Sequence, residues 1–376
     1  MRKFFFNFTK SFYLYKKKHP KRVMTVLVFI VIPLITGMIL GYEMSSNVAM
    51  HIPTVIVDHD HSKFSRDFVR YVEDSEYFNV IEQSENDERV EEAIDQREAF
   101  AGVIIPEGFY QDLRDGKAPK ILTIYDGSTL AAVSYSSSAL TEIIETLKTG
   151  YMMKIYEGKL GVVPADVMNH VIPIDVTYRM LFNPERNFRN FILPGMLAAL
   201  IQVGISCMGA ERAGELRGKK VGFIEHLKII VHWGALGALS IGITLLEQII
   251  FFDMPYRSTV LGGALLTFLY STAILAAGYL VGSVISDRTF AAQVAAVIVL
   301  PTTILGGYTW PVLAMPEFFQ QLAKIIPFYY YGSEIRSLCL SPLELRHVIP
   351  VIGIMCAFIV VETGLLFLVK RREAVL

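Results

Sequence analysis

The stretch ERAGELRGKK at 211–220 sets six ionisable side chains and two glycines in ten positions, between long apolar runs. Two chemistries fit such residues. Glycines beside a lysine, here Gly214, Gly218 and Lys219, can cradle a nucleotide phosphate through backbone N–H groups. The spacing excludes it: the phosphate loop reads G-x-x-x-x-G-K-[ST], whereas three residues separate Gly214 from Gly218 and Lys220 stands where the hydroxyl is needed. The other chemistry is electrostatic docking. On a helix Glu211 and Glu215 share a face and Arg212 lies beside Glu215 at i,i+3. With Arg217 and Lys219 following, the island reads either as a short amphipathic helix that docks on a partner protein or as the charge a cytoplasmic loop near lipid collects to set topology.

A second candidate is DHDHS at 58–62. On a strand Asp58 and Asp60 point to one face and His59 and His61 to the other, so the four do not converge on a metal. The pattern instead ends a strand at Asp58, with Asp60 or Ser62 capping the helix that follows. G-x-S-x-G and H-E-x-x-H do not occur. Cys207, Cys339 and Cys356 form neither a disulfide framework nor a metal-site spacing. The residues argue against an enzyme, and no metal or cofactor is expected in this chain.

The elements that carry these residues are set by hydrophobicity. Of 376 residues, 53% are hydrophobic and 19% charged, below the roughly 25% charged of soluble domains; mean hydropathy is +0.43. A net charge of −1 gives no field suited to nucleic acid. About 20 apolar residues span a bilayer core, and six runs qualify: 23–42, 191–210, 228–252, 259–286, 290–306 and 348–369. The first follows KKKHPKR, but it is too long for a signal-peptide core and is read as a retained anchor. Eight Lys/Arg in 1–22, five in 211–228 and three in the tail 370–376 contrast with Arg257 alone after the third span. The positive-inside rule therefore puts both termini, the island and the SDRT turn at 286–289 in the cytoplasm.

Residues 43–190 are then extracytoplasmic. Strands at 53–58, 77–83, 100–106 and 120–128 alternate with helices at 62–75 and 86–99. A long helix at 129–158 and an extended stretch at 172–181 lead back to the membrane. The expected fold is an α-helical polytopic membrane protein of six transmembrane helices with an inserted α/β extracytoplasmic domain. In 306–332, Gly307, Pro311, Pro316 and Pro327 prevent one continuous helix. Broken helices at membrane depth must be buried in protein or line a cavity. A re-entrant outer hairpin is expected, carrying Tyr308, Trp310 and Tyr329 as an outer gate; the alternative is an ordinary aromatic belt at the membrane interface. Glu247 and Glu362 fall inside predicted spans, where a charge faces protein or water.

FNPERNFRNFILPGMLAAL (182–200), the charged island, and LGGYTWPVLAMPEFFQQLAKIIPFYYYGSEIR (305–336) together resemble the ABC-2 permease subunits of ATP-binding-cassette exporters. IPTVIVDHDHSKFSRDFVRYVEDSEYF resembles the start of the external domain in members with a large loop after the first span. The resemblance covers nearly the whole chain. It implies that the island is a coupling helix, usually E-R-E-x-G-T-x-E. Glu211, Arg212, Gly214 and Glu215 match it in part, while LRGKK replaces its continuation. It also implies cytoplasmic ATPase subunits that supply ATP and Mg, a homodimer or a heterodimer with a related permease, and a bacterial inner-membrane location. A periplasmic adaptor over the external domain fits the same scheme. Hydrophobic or amphipathic cargo follows from the apolar, aromatic pathway. The rival reading is a membrane-anchored sensor whose external domain binds a ligand; the cytoplasmic segments are too short to hold an output domain.

Overall fold

The computed structural model describes residues 20–45, 50–160, 179–219 and 221–375. They form two units, one over 46–179 and the other over the segments before and after it. The basic segment 1–22 up to residue 19, and the stretch 172–181 up to residue 178, lie outside the described residues, as does Lys220.

Helix α1 (Val23–Glu43) shows how one proline shapes a span. Pro33 has no N–H, so the Phe29 carbonyl has no i+4 donor. The backbone widens to a π turn at Leu27–Val31, and the Ile32 N–H reaches the Leu27 carbonyl.

The sheet unit runs β1 (Ile52–Asp58), α2 (Lys63–Glu73), β2 (Phe78–Ser84), α3 (Glu88–Asp95), β3 (Ala101–Ile105), α4 (Phe109–Arg114), β4 (Leu122–Tyr125) and α5 (Leu130–Leu160). Strand order is β2-β1-β3-β4; β1 is parallel to β2 and β3, and β4 is antiparallel to β3. Val55 and Val57 of β1 pack with Val90 and Ala93 of α3 on one face. On the other face Ile56 meets Phe68 of α2, Phe109 of α4 and Leu140 of α5. Burial on both faces explains why β1 and β3 read as continuous apolar runs rather than alternating ones. DHDHS closes the strand and opens the helix. The Asp58 carboxylate accepts the N–H groups of Asp60 and His61 at 3.0 and 3.2 Å, and Ser62 Oγ caps α2 by accepting the Ser65 N–H at 3.0 Å.

The helical unit continues with α6 (Phe188–Glu215), α7 (Phe223–Phe252), α8 (Val260–Val284), α9 (Arg288–Val299), α10 (Thr302–Leu305), α11 (Glu317–Ala323), α12 (Pro327–Leu340) and α13 (Leu345–Val375). Among the described residues, six helices are long and apolar enough to cross a membrane: α1, α6, α7, α8, the α9–α10 pair and α13. The most buried are α6 and α8. They touch backbone to backbone: a Cβ at Gly278 would lie 2.1 Å from the Ser206 carbonyl oxygen, the small-residue contact that lets membrane helices approach closely.

Three boundaries differ from the sequence reading. The separate helix expected at 211–220 is the end of α6, because nothing from Ala210 to Ala213 disfavours helix and Arg212 pairs with Glu215 one turn on. The chain leaves the helix at Leu216 and turns through Gly218 at φ +74°. The third span begins at Phe223 rather than 228, its first turns carrying the Glu225–Lys228 pair at 2.6 Å. In 306–332 each proline marks a boundary. Pro311 precedes a 3-10 turn at Val312–Ala314, Pro316 precedes α11, and Pro327 is the first residue of α12, which runs on to Leu340.

Candidate functional site

Two clusters form at opposite ends of the helical unit. At one end meet the close of α6, the starts of α7 and α9, and the close of α8. Arg212 Nη1 lies 2.7 Å from Glu215 Oε2, and Arg288 Nη2, from the first turn of α9, lies 3.1 Å from Glu215 Oε1 and 3.6 Å from Glu211 Oε1. The guanidinium of Arg212 also stacks 4.2 Å over the Trp233 ring of α7. Arg217 Nη2 donates to the Ser283 carbonyl of α8 at 2.7 Å, so it reaches an orphan carbonyl at a helix C-terminus. Gly214 admits Arg288: a Cβ there would fall 2.7 Å from Arg288 Cγ.

The side chains of Arg212 and Glu215 are only 15% and 14% exposed, whereas Glu211 is 43% exposed. The island thus splits. Arg212, Glu215 and Arg217 hold helix ends together, while Lys219 is exposed and Glu211 is half-exposed beside Arg288. A recess of about 920 Å³ opens beside them, lined by Arg217, Lys219, His226 and Lys370, with no carboxylate among its described lining residues. Behind it His226 Nδ1 meets Tyr279 Oη at 2.6 Å.

At the other end, two distant motifs interlock. NPERN in FNPERNFRN caps α6: Asn187 accepts the Asn190 N–H at 3.0 Å, and Asn183 bonds to both the N–H and the carbonyl of Asn187. LPG follows at 193–195. Tyr308 Oη accepts the Gly195 N–H at 2.8 Å and lies 2.9 Å from the Ile192 carbonyl, to which its hydroxyl donates. The phenol therefore inserts into the helix backbone next to Pro194. A Cβ at Gly195 would overlap the Tyr308 ring at 2.3 Å. Arg336 of α12 donates to the Tyr308 carbonyl at 2.9 Å and stacks on both Phe191 (3.8 Å) and Tyr308 (4.0 Å). Gly307 takes φ +77°, a conformation that a side chain strains, and so turns the chain into the ring.

Deeper, Tyr270 and Tyr331 stack at 3.9 Å with rings 5° apart. Tyr270 Oη donates to Gln202 Oε1 at 2.6 Å, and Gln202 Nε2 donates to Thr302 Oγ1 at 3.2 Å. This polar, aromatic column is buried among α6, α8, α10 and α12. The residues predicted at this end divide. Tyr308 is buried and central, Tyr329 is half-buried, and Trp310 is 54% exposed.

A family model described as "ABC-2 family transporter protein" matches residues 22–368. The chain belongs to the ABC-2 transporter family. It is similar to "Probable multidrug ABC transporter permease YbhS" of Escherichia coli K12, 23% identical over 91% of this chain and 89% of the relative. It is also similar to "Probable multidrug ABC transporter permease YbhR" of the same strain, 20% identical over 84% of this chain and 85% of the relative. "ABC transporter G family member 20" of Dictyostelium discoideum is 27% identical over 52% of this chain and 27% of its own length. No solved structure matches the chain.

Within this ABC-2 permease, the two intramembrane acids do not meet. Glu247 is 6% exposed and faces α1, where a Cβ at Gly37 would lie 2.5 Å from its Oε2; the neighbouring Gln248 donates to the Gly37 carbonyl at 2.8 Å. Among the described residues Glu247 Oε2 has no hydrogen-bond partner, nor has Glu362 Oε2 on α13. The sequence reading missed Arg288, Arg336, Gln202 and Tyr270. Arg288 had a signal, since it lies in the SDRT turn at a span boundary, one residue after the N-cap Asp287. Gln202 and Tyr270 lie within apolar runs and carried none.

Proposed function

We propose that the chain is the permease subunit of an ATP-driven exporter of hydrophobic or amphipathic molecules. Separate ATPase subunits, holding ATP and Mg, dock from the cytoplasm on the end formed by Glu211–Lys219. Two such permeases, identical or related, enclose the path across the bacterial inner membrane, with both termini cytoplasmic. Residues 43–190 lie outside and pass cargo onward, to a periplasmic adaptor where one is present.

The observation that carries this reading is the Arg212–Glu215–Arg288 network with Arg217 on Ser283. It ties α6, α8 and α9 into one lever at the most basic end of the unit. A partner that pulls on exposed Glu211 and Lys219 moves three helices together. At the far end of α6, the same movement reaches Gly195 and the Tyr308 ring, so nucleotide state can bias inward and outward conformations. The relatives' multidrug description supports apolar cargo of this kind.

Crosslinking tests the docking. Cysteine at Lys219, with the native cysteines replaced, is expected to form a nucleotide-dependent crosslink to the ATPase subunit when the two are co-expressed. The same cysteine stays unreactive toward a membrane-impermeant thiol reagent added outside intact cells. Labelling from outside would overturn the docking and the orientation together.

A further inference from the structure

The sheet unit holds a cavity of about 640 Å³ that the transport reading leaves unused. Phe68 and Phe109 form its buried floor, and Leu113, Ile144, Leu147 and Met152 are half-buried walls. A cavity of about 150 Å³ already holds benzene, and ligand pockets run to roughly 300–1,000 Å³. It is open on one side, and its volume lies within that range.

The mouth is aromatic and the rim cationic. Phe64 stacks with Tyr110 at 6.0 Å and meets Tyr151 edge-on at 5.6 Å. Both Phe64 and Tyr151 also line an adjoining recess of about 490 Å³, which holds Lys63, Arg114 and Lys154. Its two carboxylates are turned to other cations: Asp67 to Arg70 at 3.2 Å and Asp115 toward Lys117 at 3.9 Å. Lys63, Arg114 and Lys154 have no carboxylate within 4.0 Å among the described residues. By contrast Lys117 and Lys148, beside the apolar cavity, are paired to Asp112 at 2.7 Å and Glu145 at 3.1 Å. An apolar chamber thus opens through aromatic rings onto three free positive charges.

We propose that this cavity binds a single-chain amphipathic anion, its alkyl chain between α2, α4 and α5 and its head group on Lys63, Arg114 and Lys154. The chain replaces water against the apolar walls, and the cations select the charge of the head.

A diazirine-bearing dodecanoate, photolysed with the full chain in lipid nanodiscs, tests this by peptide mapping. Adducts are expected in 109–121 and 144–152, and excess dodecanoate suppresses them. Each methylene removed from the competitor weakens it about fourfold. Dodecanol, with the same chain and no charge, competes at least about tenfold less well. Lys63 and Lys154 are exposed, so Lys63→Glu with Lys154→Glu leaves the sheet unit folded and abolishes the preference for dodecanoate over dodecanol. Ile144→Trp fills the chamber and removes the adducts in 109–121. Labelling confined to the spans, labelling that excess dodecanoate leaves unchanged, or equal competition by dodecanol would overturn the proposal. The readout needs neither ATP nor a partner, so its outcome is separate from that of the transport reading.

Discussion

Tyr308 shows how one hydroxyl joins two motifs 113 residues apart in sequence. Its oxygen accepts from Gly195 and donates to Ile192, beside Pro194 within α6. Tyr308→Phe leaves the ring in place and takes away a buried partner of the Gly195 N–H, which costs about 1–3 kcal/mol. Gly195→Ala pushes a methyl into the ring and costs a similar amount by overpacking. The effects are expected to be non-additive, because both act on one contact. Thermal unfolding of the purified single and double variants measures this, and additive shifts would show that the contact is not made. Glu247 behaves differently. Its Oε2 is buried without a partner among the described residues, and such an unmet group is itself a cost. Glu247→Gln is therefore expected to leave stability unchanged or raised, whereas Gly37→Ala, which drives a methyl into that oxygen, lowers it. A marked loss of stability in Glu247→Gln would instead show that the acid holds α1 to α7 as a charge.

Helix length decides what the segment between the fifth and sixth spans can be. α12 has 14 residues, about 21 Å at 1.5 Å each, against a hydrocarbon core of about 30 Å. It is too short to cross alone, and the re-entrant arrangement we propose has α11 and α12 enter and leave by the same face. Single cysteines at Glu317 and at Pro342 are expected to react equally with an impermeant reagent from outside; a difference in sidedness would make α12 a span. The sequence disclosed the breaks here through Pro311, Pro316 and Pro327, because proline acts through its own backbone. It also disclosed β1 ending at Asp58 and a cap at Asp60 or Ser62, of which Ser62 makes it, since caps are local chemistry. It did not disclose that 211–215 continue α6. Charge patterning marks where a chain meets water but not where a helix stops, and Gly218, which ends this one, looks in sequence like Gly214, which does not. The partners Arg288 and Arg336 stayed hidden because ion pairs across helices depend on packing, which spacing along one chain does not encode.

Across the helical unit, the two clusters are the two ends of one rigid element, and that makes coupling testable as energetics. α6 carries Glu211 and Glu215 at one end and Gly195 near the other, and its backbone contact with α8 at Ser206 and Gly278 ties the two central spans together between them. Arg288 is the joint between α6 and α9: it contacts both Glu211 and Glu215, and Glu215 is mostly shielded from water. Exposed pairs contribute about 0.2–1 kcal/mol, and shielding strengthens the attraction. Arg288→Ala should therefore leave insertion and ATPase docking intact, because exposed Lys219 is untouched and Glu211 keeps its carboxylate and loses only a half-exposed partner at 3.6 Å. In a reconstituted complex it should lower transport per ATP hydrolysed by about tenfold, the equivalent of about 1.4 kcal/mol of lost coupling. Lys219→Glu should do the converse, reducing ATPase recovery while leaving the thermal stability of the isolated permease unchanged. If Arg288→Ala instead transported with full efficiency per ATP, motion would not pass through this joint, and Glu211 and Lys219 would be an anchor rather than the end of a lever.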